Sequence, residues 1–398
     1  MSIISSLTPT QISALTTTQI KDLTTQDVKA LSNKQINALT STQIAAIETQ
    51  DLVILSGKQI SAFKPNEFTY GMTTAQIQAI TSTQAKGLTA AQLKDMNSGN
   101  LSSLSTDALS ALSAKQIQGL NSTNIESLTT AQAAALSYKQ IAAISLDAVK
   151  GFETADLAKI DATAIKGLTA AQLGALGSEQ FNSLNSSQVQ ALSAKQIQAL
   201  GTDVISSLTT SDMKEFSATQ VAALSNAQLG KLSSGQLSAL STDALGALSA
   251  KQIQGLDATK LSTNVISALS AKQIAALTVD QLNTMDISAI STGSIASLTA
   301  AQVKGLSSAN ITALTTAQAE ALSAKQIAGI STDAVKGLET ADLAQISTAA
   351  IKGLTADQIE TFSTGQVKAL TSDQVQALSA KQIQAFTTEQ IQHLNFGS

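Results

Sequence analysis

The sequence is built from one eight-residue unit that repeats, without linkers, from about residue 8 to residue 394. The unit reads [Ser/Thr]-x-x-Gln-[Ile/Leu/Val]-x-[Ala/Gly]-Leu and is clear in Ser113–Leu120 (SAKQIQGL), Ser193–Leu200 (SAKQIQAL) and Thr299–Leu306 (TAAQVKGL). A period of this kind indicates a repeat architecture in which each unit packs mainly on its neighbours. The chain is therefore expected to grow in one dimension, and the repeat leaves no separate catalytic domain.

Each octad, numbered from its Ser or Thr, has the pattern of a short helix. Ser or Thr at position one followed by Gln at position four is a capping box, in which the hydroxyl accepts from a first-turn N–H and Gln reaches back to the cap. The large apolar residues at positions five and eight are three apart and share one helical face. The sequence predicts an all-α solenoid with one short capped helix, of about seven residues, in each octad.

Two other folds compete with this prediction. In one unbroken helix, eight residues overshoot two turns by roughly 80°, so the apolar stripe would spiral around the rod. A β-solenoid is the remaining alternative, because Ser, Thr and β-branched residues are frequent, but a strand would place positions five and eight on opposite faces. Breaking the helix once per octad keeps the apolar residues on one side.

Two residue classes predict how the repeats pack. Small residues at position seven, such as Ala14, Gly119, Gly167 and Gly353, indicate close backbone contact between neighbours. Burying one Ile and one Leu contributes roughly 3–6 kcal/mol, whereas ordering eight residues costs about 8–16 kcal/mol, so a single octad cannot fold alone. Phenylalanines that mostly occupy positions five or eight are assigned to the core: Phe63, Phe68, Phe152, Phe181, Phe216, Phe362 and Phe386.

The array is interrupted at three places. Residues 64–72 (KPNEFTYGM) form a nine-residue unit, and residues 257–261 (DATKL) and 286–290 (DISAI) each lack three residues of an octad. We interpret these interruptions as defects or bends of the superhelix, with a docking point as the alternative. The predicted divisions are N-terminal repeats or a cap (1–63), the nine-residue unit (64–72), a continuous solenoid (73–394, with breaks at 257–261 and 286–290) and a tail (395–398).

Composition excludes several functions. The chain has no Cys, its positive charge is all Lys, and its net charge of −4 does not suit a nucleic-acid binder. Ser, Thr and Gln interrupt every apolar run, so no membrane span is expected. The one histidine, His393, has no partner for acid–base chemistry. We therefore expect no enzyme activity and no cofactor, with weak Ca²⁺ binding at assembly contacts as the one exception left open.

Charged residues recur at position three and are candidate assembly contacts. Lysines and aspartates there are expected to be solvated, with the aspartates compensating the helix dipole. The alternative is that lysines on one molecule meet acidic residues on another and set the register of a fibre. The candidate residues are Lys115, Lys139, Lys195, Lys251, Lys325, Lys381, Asp107, Asp147, Asp243 and Asp333.

The tandem T-x-x-Q-[IV]-x-A-L pattern resembles octapeptide repeats of large surface and secreted, adhesion-like proteins of proteobacteria. The resemblance covers nearly the whole chain and transfers no site residues. It implies an extracellular or cell-surface protein. The N-terminal residues MSIISSLTPTQ lack the features of a cleaved signal, so the resemblance further implies type I-like export that leaves the N-terminus uncleaved. A cytoplasmic scaffold is the alternative.

These observations favour a non-enzymatic structural protein that self-associates into a filament or surface layer. The last octads (SAKQIQAF, TTEQIQHL) keep the internal pattern, whereas terminal repeats usually turn polar to stop polymerisation. The alternative is an adhesin or secreted effector whose solenoid surface binds a protein, cell-surface or glycan partner.

Overall fold

The computed structural model describes residues 3–397 and is helical throughout that range, with no strand. The described residues form two compact units that divide between Ser207 and Leu208. Each unit consists of short helices, four to seven residues long where they are α-helical, that wind into stacked coils. The prediction of an all-α repeat solenoid is confirmed, and the β-solenoid alternative is wrong.

The described residues of the first unit, 3–207, contain 24 α-helices. They are α1 (Pro9–Ser13), α2 (Thr17–Lys21), α3 (Thr25–Ala30), α4 (Asn33–Ala38), α5 (Ser41–Ala46), α6 (Thr49–Leu52), α7 (Gly57–Ile60), α8 (Pro65–Gly71), α9 (Thr74–Gln78), α10 (Ser82–Ala85), α11 (Ala90–Asp95), α12 (Ser98–Ser103), α13 (Thr106–Ser110), α14 (Ala114–Ile117), α15 (Ser122–Glu126), α16 (Thr130–Ala134), α17 (Tyr138–Ala143), α18 (Thr154–Leu157), α19 (Ala162–Ile165), α20 (Ala170–Gly174), α21 (Ser178–Asn182), α22 (Ser186–Ala191), α23 (Ala194–Gln198) and α24 (Thr202–Ser207).

The second unit continues the same series. Its α-helices are α25 (Thr210–Glu215), α26 (Ala218–Ala222), α27 (Asn226–Leu229), α28 (Ser234–Ala239), α29 (Thr242–Gly246), α30 (Ala250–Gln254), α31 (Thr263–Ala268), α32 (Ala271–Ile274), α33 (Val279–Thr284), α34 (Thr292–Ile295), α35 (Ala300–Gly305), α36 (Ser308–Thr312), α37 (Thr316–Glu320), α38 (Ala324–Gly329), α39 (Thr340–Gln345), α40 (Thr348–Ile351), α41 (Ala356–Glu360), α42 (Thr364–Ala369), α43 (Ser372–Ala377), α44 (Ala380–Gln384) and α45 (Thr388–Ile391). Five 3-10 helices across the two units are Ile3–Ser6, Ala148–Gly151, Ala258–Lys260, Ile287–Ala289 and Val335–Gly337.

The predicted capping box begins most of these helices. At α1 the Thr8 N–H donates to Gln11 Oε1 at 2.8 Å, and the Gln11 N–H donates to Thr8 Oγ1 at 3.3 Å. Helices end because position eight and the next cap are extended, as at Leu39 (φ −64°, ψ 139°) and Thr40 (φ −84°, ψ 163°). This break in every octad returns the apolar face to the same side of the chain.

Positions five and eight form the core, as predicted. Ile36 and Leu39 of one octad, and Ile44 and Ile47 of the next, are at most 3% exposed. All seven phenylalanines assigned to the core are buried. The core is therefore two apolar rows, which follow the coils along each unit.

Successive coils are held in a fixed register. Each helix packs against the helix three octads further along, as α1 does on α4 and α2 on α5. The side-chain amide of Gln43 reaches the carbonyls of Ile12 and Leu15, which lie 31 and 28 residues earlier. A separation of 28 residues is three and a half octads, so helices in adjacent coils are staggered by about half an octad.

The small residues at position seven lie where coils approach most closely. A Cβ atom at Gly167 or Gly353 would overlap the backbone carbonyl of Tyr138 or Ala324, and one at Gly119 would come within 2.9 Å of the Ala90 Cβ. These three positions confirm the predicted close contact. The same prediction is wrong for Ala14, which lies in the first described coil and is exposed because no coil precedes it there.

The interruptions do not break the stacking inside either unit. Beyond the nine-residue unit, Gln76 donates to the carbonyls of Ile44 and Ile47, 32 and 29 residues earlier. Beyond the short unit 257–261, Gln281 donates to Ile253 and Leu256, 28 and 25 residues earlier. Each irregular unit thus fills the place of one octad, with one residue added or three removed. The predicted division at residue 63 stays a prediction, and α8 packs within the first unit on α5 and α11.

Candidate interaction surface

Where an octad has glutamine at position four, that side chain can join the octad to the coil before it. Gln84 accepts from the Thr81 N–H at 3.0 Å, while its Nε2 donates to the carbonyls of Leu52 at 2.7 Å and Leu55 at 3.0 Å. Its side chain is only 1% exposed. The acceptor end thus completes the capping box. The donor end pairs the Leu55 carbonyl and adds a second donor to the Leu52 carbonyl, which also accepts from the Leu55 N–H at 3.1 Å.

Sequence reasoning predicted the capping half of this role and missed the other half. The signal was the residue type itself. A capping box works with Glu as well as with Gln, yet position four is Gln in most octads of this chain and Glu in none of the regular ones. Of these two side chains, only the amide of Gln can accept from the cap and donate to carbonyls at once. We call this series of contacts the glutamine ladder.

The glutamine ladder is incomplete at the first described coil. Gln11 and Gln19 accept from the N–H groups of Thr8 and Thr16, but both side chains are exposed. Within residues 3–397, no carbonyl lies in reach of either Nε2 atom. Leu15, in the octad of Gln11, is only half-buried, unlike the equivalent leucines of interior octads. This coil therefore presents amide donors beside partly exposed apolar side chains.

The last described coil presents the complementary groups. Gln390 is the last glutamine of the ladder and donates to the carbonyls of Ile359 and Phe362. Among the described residues, no glutamine amide reaches the position-eight carbonyls of Leu378 and Phe386. The core row also becomes exposed here, because Ile391 is 37% exposed whereas its interior equivalents are almost fully buried. One face thus offers donors and the other offers acceptors.

The lysines predicted as assembly contacts do not form ion pairs within the described residues. All of them lie in the first turn of their helices with exposed side chains, and the three ion pairs found within residues 3–397 include none of them. These exposed lysines are Lys115, Lys139, Lys195, Lys251, Lys325 and Lys381. Their role as assembly contacts stays a prediction.

The four candidate aspartates are also exposed. Asp107 and Asp243 lie in the first turns of α13 and α29, where a negative charge suits the helix dipole. Asp147 pairs with Lys150 at 3.6 Å and Asp333 with Lys336 at 3.1 Å, each inside its own octad. Such exposed pairs contribute little to stability, and all four carboxylates remain open to solvent.

Three octads depart from the ladder in a way that sequence reasoning did not single out. They carry Glu at position one and Asp at position four, and we call them the acidic octads: Glu48–Leu55, Glu153–Ile160 and Glu339–Ile346. Their helices lack a side-chain cap. The aspartates Asp51, Asp156 and Asp342 are at most 3% exposed. An ionised carboxylate cannot donate, so these octads supply no amide to the preceding coil.

The buried aspartates receive few hydrogen bonds in exchange. Thr25 Oγ1 donates to Asp51 Oδ1 at 2.6 Å, and Thr130 hydrogen-bonds Asp156 from the equivalent place. The Oδ2 atoms of Asp156 and Asp342 have no partner among the described residues. Burial raises the pKa of the Asp156 carboxyl above its ordinary value, the hydrogen bond from Thr130 opposes this shift, and the charge of Glu153 adds to it.

The capping residue decides where such an aspartate lies. Asp212 also occupies position four, but Thr209 caps its helix. There the carboxylate accepts from the Thr209 N–H at 2.8 Å and from its hydroxyl at 2.7 Å. Asp212 is half-buried rather than buried. With Glu as the cap, that hydroxyl donor is absent and the carboxylate lies between coils instead.

The described residues were also compared with what a metal site, a membrane span or a catalytic histidine would need. Within residues 3–397, no three His, Cys, Asp or Glu side chains form a group that could hold a metal ion. None of the described helices has the length and apolar character needed to cross a bilayer. His393 is half-buried in the last octad, where its backbone N–H donates to the Gln390 carbonyl at 2.9 Å.

The fold and the glutamine ladder define a helical repeat protein, with one short capped helix per octad. Six segments match a family model described as the ALTTAQ repeat, and together they span somewhat less than half of the chain. The six letters occur unchanged at residues 313–318, across the end of one octad and the start of the next. The matched segments are residues 149–186, 205–242, 221–258, 279–316, 335–372 and 363–395. No curated protein matches this chain.

Proposed function

We propose that this chain is a non-enzymatic structural protein without a cofactor, which assembles end to end into filaments outside the cell or on its surface. The observation that carries the proposal is the glutamine ladder, which is open at both described ends with opposite chemistry. Gln11 and Gln19 offer amide donors on one face, and the carbonyls of Leu378 and Phe386 are acceptors on the other. A second copy of the chain supplies what each face lacks.

The joint repeats a contact already present within the chain. Gln35 donates to the carbonyls of Ile4 and Leu7, both at 2.8 Å. In the joint, Gln11 of one copy would meet the Val375 and Leu378 carbonyls of the next copy in the same relation. A heterologous contact of this kind produces an open filament when its rotation does not close into a ring, and the proposed assembly is the open form.

The expected strength makes assembly dependent on concentration. Each glutamine adds two hydrogen bonds, worth about 0.5–1.5 kcal/mol apiece. Covering partly exposed residues such as Leu15 and Ile391 adds further apolar burial. Against this stands an association cost of about 4–15 kcal/mol. Filaments are therefore expected only above a threshold concentration.

The test changes the donors without disturbing the caps. Gln11→Glu with Gln19→Glu keeps an acceptor oxygen for each capping box but removes both amide donors and points carboxylates at carbonyls. The matched control is Gln78→Glu with Gln118→Glu, which makes the same charge change at exposed positions outside the ladder. Sedimentation velocity over a concentration series, with circular dichroism to verify folding, compares the three proteins.

We expect large assemblies from the wild type and the control, and monomers from the ladder variant. Equal assembly by all three folded proteins would show that the ladder does not form the joint. Monomers from the wild type at every concentration would favour the alternative, an adhesin or effector that binds a partner on the solenoid surface. Cell fractionation tests the proposed location, since recovery only from the cytoplasm would contradict it.

A further inference from the structure

One surface groove of the first unit differs in charge from its surroundings. It has a volume of about 780 Å³, within the range of ligand-binding pockets. Its lining comes from successive coils, and it includes both prolines of the chain. The residues that define it are Pro9, Asn33, Lys34, Asn37, Ser61, Ala62, Phe63, Lys64, Pro65, Thr89 and Ala91.

The groove is positively charged although the chain is acidic overall. Lys34 and Lys64 are exposed, and neither takes part in an ion pair within residues 3–397. No Asp or Glu lines the groove. The carboxylate of the nine-residue unit, Glu67, accepts instead from the Ser41 N–H on α5. Two uncompensated ammonium groups in a shared concavity attract an anion.

Three other grooves differ from this one in charge. The grooves beside the three acidic octads contain Glu48, Glu153 or Glu339 among their lining residues. In each of them a lysine also lines the groove, so the positive charge is opposed locally. A further groove, lined by Thr25, Gln26, Lys29 and Ile54, also has no carboxylate but carries one lysine. The groove beside the nine-residue unit is distinguished by two lysines without an acidic residue.

The remaining lining favours a sugar chain over a peptide. Asn33, Asn37 and Thr89 carry polar groups that pair with hydroxyls, and the Asn37 amide already donates to the Ala62 carbonyl at 3.1 Å. The apolar lining consists of small surfaces, and Phe63 is only 2% exposed, so no deep pocket receives a large side chain. The described residues also contain no strand edge to which an extended peptide could add.

We propose that this groove binds an acidic oligosaccharide, with Lys34 and Lys64 contacting its carboxylates and the asparagines contacting its hydroxyls. Charge-assisted hydrogen bonds from lysine to carboxylate are stronger than those to neutral hydroxyls. A linear sugar with a carboxylate on each residue matches an open groove that has ammonium groups in neighbouring coils. This site does not depend on filament formation.

The test uses hexagalacturonate as the probe and the full chain below its assembly concentration. Calorimetric titration compares the wild type, Lys34→Gln with Lys64→Gln, and a matched control. The control, Lys159→Gln with Lys166→Gln, removes the same charge from exposed positions outside the groove. We expect the wild type and control to bind hexagalacturonate, and the groove variant to lose at least about tenfold in affinity.

Three outcomes would overturn the proposal. The first is no binding by the wild type. The second is an equal loss in the groove variant and the control, which would mean that net charge alone attracts the probe. The third is equal binding of maltohexaose, which carries no carboxylate, or of hexaglutamate, which is a peptide. Circular dichroism of each variant verifies that a lost affinity does not come from unfolding.

Discussion

At the scale of single residues, the position-four glutamine has a role that needs a side-chain amide. Its oxygen accepts from the cap and its nitrogen donates to two carbonyls of the preceding coil, so three backbone groups meet at one side chain. Asn124 makes the same kind of link with the Asn121 N–H and the Met96 carbonyl. Glu would keep the first contact and lose the second, whereas Leu or Met would lose both. The residue therefore carries much of the specificity of coil stacking, in addition to the apolar core.

Gln188→Glu is the sharpest single test of this role. Gln188 is fully buried, and its Nε2 donates to the carbonyls of Leu157 at 2.7 Å and Ile160 at 2.6 Å. The variant places an acceptor against two carbonyls, so we expect a loss of about 3 kcal/mol or more in unfolding free energy. Urea denaturation measures it. The control Gln118→Glu, at an exposed site, is expected to change stability by less than about 0.5 kcal/mol.

Replacing glycine by alanine is expected to change the stability of the chain in opposite directions at two positions. A Cβ atom at Gly353 would overlap the Ala324 carbonyl, while one at Gly246, inside α29, would meet nothing within 4 Å. Gly353→Ala is therefore expected to destabilise the chain by about 1–3 kcal/mol. Gly246→Ala is expected to stabilise it by about 0.5–1 kcal/mol, because alanine favours the helix. Thermal unfolding of both variants gives the signs, and equal signs would contradict the packing described here.

At the scale of the element, the octad was largely predictable from its sequence. The cap, the helix and the apolar face each depend on residues within eight positions of one another, so local rules apply. The second role of glutamine was not predicted, because its acceptors lie 28 and 31 residues away and their place depends on the number of octads per coil. For the same reason, the sequence did not predict which position each irregular unit takes in the coil.

The acidic octads show how a change of two residues alters one element. With Glu at the cap and Asp at position four, the carboxylate of Asp156 lies between coils with one oxygen unpaired. Charged groups near it are few. Glu153 is the N-cap residue of the helix that contains Asp156, α18. Of the helices packed on α18, α16 carries no charged residue and α21 carries Glu179. The raised pKa of Asp156 therefore comes mainly from burial, with little compensation.

This arrangement predicts a specific pH dependence. Because the pKa of Asp156 is raised in the folded chain, the folded state holds the proton more tightly than the unfolded state. The contribution of this group to stability is fully present below its ordinary pKa of 3.8 and is lost as pH rises through the folded value. Asp156→Asn stays neutral and can donate, so we expect it to be more stable than the wild type at pH 7 and similar to it at pH 3.5.

Denaturation midpoints at several pH values test this prediction. Asp212→Asn serves as the control, because it removes a charge at position four while keeping an oxygen for the Thr209 cap. It is not expected to gain stability at pH 7. An Asp156→Asn variant that differs from the wild type by the same amount at pH 3.5 and pH 7 would show that the carboxyl does not titrate in this range.

At the scale of the whole molecule, the contacts that stack coils within a unit are also the contacts that its end faces can offer. The open amides of Gln11 and Gln19 and the open carbonyls of Leu378 and Phe386 follow from a pattern that continues unchanged into the first and last octads. The sequence predicts self-association from the unchanged pattern of the last octads. The ladder adds the donors and acceptors that the proposed joint would use.

The positive groove belongs to the same scale, since it is formed by residues from several coils. Its lysines are ordinary members of the sequence, and nothing in the spacing of Lys34 and Lys64 marks them as a pair. They line the same groove because the 30 residues that separate them are about the length of one coil. The proposed site thus lies beside an irregular unit for which the sequence predicted a bend of the superhelix, with a docking point as the alternative.

Electron microscopy of the purified chain over a concentration series tests end-to-end assembly. We expect unbranched filaments one solenoid wide that appear above a threshold concentration and lengthen with it. Isolated particles at all concentrations would contradict end-to-end stacking through the glutamine ladder. Sheets or lateral bundles without single filaments would contradict it as well, and would instead direct attention to the exposed lysines and aspartates of position three.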